Sequence, residues 1–98
     1  MMEEQLNTAA VGAGTGNPTH ADNLDISPAD GGYIIYQPEQ DRVHFLNPTA
    51  VLILELSNGK NAPEEIVELV KQAYGLAEPP VKEVQEALKQ LKAEGLLL

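Results

Sequence analysis

The chain has 98 residues, 43 % of them hydrophobic but only 4 % aromatic, with 15 acidic and 6 basic side chains and a net charge of −9. That length supports one small aliphatic core and not two, and so acidic a chain repels the phosphate backbone of nucleic acids. The absence of cysteine excludes disulfides, thiolate metal sites, iron–sulfur ligation and cysteine nucleophiles together.

The N-terminus has neither the basic nor the apolar region of a signal peptide, and no apolar run reaches membrane-spanning length. A soluble cytoplasmic protein without a membrane partner is expected. Residues 1–21 are rich in Ala, Gly, Thr and Asn and have no packing period, so they read as a flexible N-terminal tail. Gly12, Gly14 and Gly16 lack the preceding strand and following helix of a phosphate loop. The remainder, 22–98, reads as the folded domain.

Leu24-Asp25-Ile26 alternates apolar and polar residues and predicts a short first strand, followed by the turn signal Asp30-Gly31-Gly32. A second strand is predicted over 33–36 and a third over 42–46. Between them Pro38 cannot donate to a ladder, and Glu39-Gln40-Asp41 offers nothing to bury. Asn47 can cap a helix whose first residue is Pro48. That helix, over 48–56, is apolar nearly all round and reads as central and buried. Asn58-Gly59 ends it. A second helix starts at Pro63, with Glu64 and Glu65 at its positive end and Ile66, Leu69, Val70 and Ala73 at helical spacing, and stops at Gly75. A third follows Pro79-Pro80 and runs to about Ala93, with Val81, Val84, Leu88 and Leu91 as its buried stripe and Gly95 at its end. Leu96-Leu97-Leu98 is expected to pack back on the core. The expected fold is α+β and winged-helix-like: a three-stranded antiparallel sheet followed by a three-helix bundle.

No nucleophile–base pair, paired-carboxylate motif, H-E-x-x-H or glycine-rich phosphate site is present. No enzyme activity, metal or cofactor is expected. His44 alternates with Val43 and Phe45, and reads equally as a surface histidine or as a ligand contact. At about 100° per residue, Lys82, Gln85, Lys89 and Lys92 share one flank of the third helix, while Glu83, Glu86 and Glu94 share the opposite one. The lysine flank is either a solvated helix face or one wall of a positive groove. The strand 42–46 ends the meander and so lies at a sheet edge. An unpaired edge can accept an extended peptide as a further strand, unless the charges of Asp41 and Arg42 protect it.

Taken together, the hairpin from Gly32 to Phe45, the segment Leu46-Asn47-Pro48-Thr49-Ala50, the aliphatic helix with Asn58-Gly59-Lys60, the helix with Ile66 and Tyr74, and the ending Gly95-Leu96-Leu97 closely resemble the PqqD family. The resemblance covers roughly residues 22–98. It implies a peptide chaperone, or recognition element, tied to pyrroloquinoline quinone biosynthesis and to ribosomally made, modified peptides. Such a protein binds the leader of a precursor peptide and delivers it to a modifying enzyme, often a radical S-adenosylmethionine protein. The leader is held as an added strand on the third strand, beside the third helix. Carried onto this chain, the implied peptide-binding residues are Arg42, Val43, His44, Phe45 and Leu46 on the strand, and Lys82, Gln85, Lys89 and Lys92 on the helix. The lysines would suit an acidic leader. A monomer or weak homodimer is expected. The alternative is a winged-helix nucleic-acid-binding regulator with the third helix as its recognition helix, which the net charge and the single arginine oppose.

Overall fold

Two turns shape the sheet. Gly31, at a φ of 75°, closes the two-residue connection between β1 (Asp25–Ala29) and β2 (Gly32–Gln37). A single 3-10 turn over Pro38–Gln40 then leads to Asp41, which takes the left-handed conformation and donates its N–H to the Pro38 carbonyl before β3 (Arg42–Leu46) begins. The computed structural model describes residues 16–98, and the first fifteen residues of the expected tail, Gly12 and Gly14 among them, lie outside the described residues.

The three strands form one antiparallel sheet in the order β1-β2-β3. Ile26, Ile35 and His44 stand opposite one another, as do Ser27, Ile34 and Phe45. Because successive side chains alternate, Ile35, Gln37, His44 and Leu46 turn to the helices and are buried, while Ile34, Tyr36, Val43 and Phe45 face out. The first strand runs later and longer than Leu24-Asp25-Ile26 predicts. The tight turn at Gly31 carries Pro28 and Ala29 back against Tyr33 and Gly32. Gly32 itself is buried beneath β3: a Cβ there would run into the Leu46 carbonyl oxygen and come within 2.9 Å of the Phe45 ring.

The helices are α1 (Pro48–Leu56), α2 (Pro63–Tyr74) and α3 (Val81–Ala93). Asn47 Oδ1 accepts from the Ala50 N–H at 2.8 Å, so β3 passes into α1 through one capping residue. Glu65 accepts from the Ala62 N–H at the start of α2, and Gly75 ends that helix in the left-handed conformation. Val51, Ile53 and Leu54 of α1, Ile66, Val67 and Val70 of α2, and Val84 and Leu91 of α3 meet Ile35 and Leu46 of the sheet in one core. Leu96 and Leu97 join it, whereas Leu98 is exposed. Leu69 and Val81, both expected on buried stripes, lie at the surface, at the margins of their helices' packed faces.

The tail expectation is corrected at its C-terminal end. Residues 18–21 are pinned between the α1–α2 connection and the C-terminus. The Gly59 N–H donates to the Pro18 carbonyl and the Leu98 N–H to that of Thr19. The His20 N–H donates in turn to Ser57 and that of Ala21 to Leu96, all four bonds being 2.7 to 2.9 Å long. Nothing in the local composition marks this segment for packing, because its hydrogen bonds to Ser57, Gly59, Leu96 and Leu98 are made by main-chain groups. Among the described residues no helix is long and apolar enough to cross a membrane, and no group of acidic and histidine side chains is placed to hold a metal ion.

Candidate functional site

A three-stranded sheet has two edges, and these two are not equivalent. β1 carries Pro28, which has no N–H to offer an added strand. β3 has no proline along Arg42–Leu46, and among the described residues the sheet ends there. Beside that edge runs a cleft of about 450 Å³, with Phe45, Leu46, Asn47 and Thr49 on one side, Ile53 beneath, and Glu83, Ala87, Gln90 and Glu94 on the other. Glu83, Ala87 and Gln90 of α3 and its C-cap Glu94 are spaced i, i+4, i+7 and i+11, so they form one stripe along the helix. Ala87 leaves the middle of the cleft open because its side chain is small. Val43 and Phe45, at 67 % and 59 % exposure, extend the same strand into an apolar outer surface with Ile34 and Tyr36.

His44 is buried, at 7 % exposure, and is not the surface histidine that one reading of the alternation allowed. Its neighbours Val43 and Phe45 occupy the outer face, which turns His44 toward the helices. Gln37 Nε2 donates to the Gly95 carbonyl at 3.0 Å, and this presents Gln37 Oε1 to His44 Nε2 at 3.2 Å. On the other side of the ring, His44 Nδ1 lies 3.3 Å from Glu94 Oε1. Glu94 Oε2 accepts from Gln90 at 2.6 Å. The chain β2–β3–Glu94–Gln90 therefore fastens the edge strand to the C-terminal end of α3.

The structure gathers the strand residues and parts them from the lysines. Phe45 and Leu46 line the cleft, while Arg42, His44 and Leu46 share its side of the strand by alternation. Lys89 and Lys92 instead border a separate hollow with Pro18, Leu88, Leu97 and Leu98. Gln85 borders a third, with Pro63, Val67, Pro79 and Val81. Lys82 is exposed at the start of the same helix. The wall of the β3 cleft is thus the acidic flank of α3 and not its basic one. Helical spacing tells the two flanks apart but not which of them faces β3. That depends on Val84 and Leu91 docking into the core, a non-local contact. Glu83, Ala87, Gln90 and Glu94 were missed as cleft-lining residues for this reason, although a small residue in the middle of a polar helical stripe is a signal for an open cleft wall.

These features define a class: a small α+β domain in which an open edge strand overlooks a helix-lined cleft. The model of the family of coenzyme PQQ synthesis protein D, PqqD, matches residues 32–97, and the chain belongs to that family. The match runs from the start of β2 to the C-terminal leucines. A solved structure described as TbiB1 in complex with the TbiA(beta) leader peptide shares the fold, with a TM-score of 0.63 and 21 % identity over 81 % of this chain and 93 % of that one. No curated protein matches the chain. The α+β architecture expected from the sequence, three antiparallel strands followed by three helices, is the one observed.

Proposed function

We propose that this protein is a leader-peptide chaperone that takes the leader of a precursor peptide as a fourth strand on β3 and delivers it to a modifying enzyme, such as a radical S-adenosylmethionine protein. The observation that carries this reading is the β3 edge, unpaired among the described residues, beside the α3 cleft. Main-chain hydrogen bonds to the edge supply affinity with little dependence on sequence, and the cleft reads every second side chain. TbiB1, which shares the fold, was solved with a leader peptide, and that supports the same use here. The protein acts as a binding module and not as an enzyme: His44, the histidine nearest the cleft, is taken up by Gln37 and Glu94 in holding the fold. It works in the cytoplasm as a monomer, or as a weak dimer through the same edge that a peptide would displace.

The test is a titration of the 15N-labelled full chain with a precursor leader from the same genome. Amide shifts confined to Arg42–Leu46 and to residues 83–94 of the α3 cleft side support strand addition. Shifts centred on the lysine flank of α3, or none at all, would sink it. A parallel titration with duplex DNA addresses the nucleic-acid alternative, for which no shift is expected.

A further inference from the structure

The face of the sheet turned away from the helices carries two rungs of side chains. Asp25, Tyr36 and Val43 stand side by side across the three strands, and so do Ser27, Ile34 and Phe45. Each rung is polar on β1 and apolar on β2 and β3. Exposure rises toward the β3 edge: Tyr36 is 38 % exposed and Val43 67 %, Ile34 41 % and Phe45 59 %. Sheet edges are commonly guarded by charge or proline. Residues 43–46 of β3 include neither proline nor any Lys, Arg, Asp or Glu. The apolar rungs thus run unbroken to the edge on which the leader-binding reading places a peptide, and contiguous apolar exposure of this kind marks an interaction surface.

Strand addition lengthens both rungs by one member. Whether the peptide runs parallel or antiparallel to β3, its side chains beside Val43 and Phe45 are two residues apart and point away from the helices. Polar side chains there leave the open flanks of Val43 and Phe45 in water. Apolar ones, β-branched or aromatic above all, cover them, as Tyr36 and Ile34 already cover the opposite flanks.

Resting on the leader-binding reading, we infer that the segment bound on β3 carries an apolar-x-apolar pair on its outer face, continuing the rungs of Val43 and Phe45. The cleft reads the side chains that point inward, and the rungs read those that point outward. A leader is then told from a strand with one polar face by residues that never meet α3.

The test uses two ten-residue threonine-based peptides with Val-Leu-Val or Thr-Leu-Thr at their centres. Each is titrated against the 15N-labelled full chain, so that amide shifts give both affinity and location. The leucine is a common inward side chain, and valine and threonine share shape and strand propensity, so the outward methyl groups are what differ. The valine peptide is expected to bind about three- to tenfold more tightly. Val43→Thr together with Phe45→Thr should bring the ratio close to one. Phe45 also borders the cleft and rests over Gly32, so Val43→Thr alone, outside the cleft lining, gives the cleaner reading and should remove about half of the preference on a logarithmic scale. Ile34→Thr should leave the ratio unchanged, because an added strand lies two strand spacings, about 9.6 Å, from β2. Circular dichroism checks that each variant is folded. Equal binding of the two peptides to the wild type, or a preference that survives the double substitution, overturns the inference. Sedimentation addresses the other occupant: a dimer that both Val43→Thr and Ile34→Thr dissolve would assign the face to a second copy and overturn it as well. So does failure of both peptides to bind at millimolar concentration. If the genomic leader still shifts Arg42–Leu46 in that case, only the outward pair falls; if it does not, the leader-binding reading falls with it.

Discussion

His44 Nδ1 lies 3.3 Å from Glu94 Oε1, and this contact joins the edge strand to the end of the helix it faces. Among the described residues nothing else polar ties β3 directly to the end of α3. His44→Ala removes the ring and leaves Gln37 Oε1 buried without its partner. A loss on the order of 1–3 kcal/mol in stability is expected, read as a lower midpoint in urea unfolding. His44→Gln, which keeps a donor toward one of the two acceptors, should lose less. Equal stability of wild type and His44→Ala would show that the contact does not hold the edge.

Ala87 should be the position where bulk ends peptide binding without ending folding. It is half-buried on the cleft wall, and a large side chain has the open cleft to occupy. Ala87→Trp is expected to weaken binding of the leader by at least tenfold with thermal stability near that of wild type. Unchanged affinity, measured by calorimetry, would mean that the peptide does not enter the cleft.

Gly32→Ala tests the approach of β2 to the end of β3. The added methyl would meet the Leu46 carbonyl oxygen, part of the backbone and unable to turn aside, as well as the Phe45 ring. Overpacking of this kind costs about 1–3 kcal/mol or more. A melting temperature several degrees lower is expected, together with altered amide shifts at Phe45 and Leu46.

Truncation to begin at Asp22 removes the strap of residues 18–21. Four backbone hydrogen bonds go with it, and Leu96 and Leu97 lose cover. At about 0.5–1.5 kcal/mol each, offset by the entropy of ordering the segment, the bonds point to a loss on the order of 2 kcal/mol. Denaturant unfolding of the truncated and full chains measures it. Identical midpoints would show that the strap contributes nothing.

Asn47→Ala should cost about 1 kcal/mol through loss of the cap on α1. It should also loosen Thr49, whose hydroxyl donates to Tyr74 Oη at 3.2 Å, at the end of α2.

The elements of this protein are written locally. Proline at the first position of α1 and α2, Asn47 as a cap, Gly75 as a stop and the alternation in 42–46 each act within a few residues, and strand and helix bounds follow from them almost to the residue. β1 is the weakest instance, since Ser27-Pro28-Ala29 has little strand propensity of its own and is held by its pairing with β2. The separation of Lys82, Lys89 and Lys92 from Glu83 and Glu94 on α3 is also legible, because it is a matter of helical period. Which of those flanks meets β3 is decided only when Val84 and Leu91 bury against Ile35 and Leu46. The same packing turns His44 inward to Glu94 and seats residues 18–21 against Ser57 and Leu96. By itself, then, the sequence determined the strands, the helices and the edge at which β3 lies. Tertiary structure alone decided the charge of the cleft beside that edge, since periodicity says which side chains share a face but only long-range burial says what that face meets.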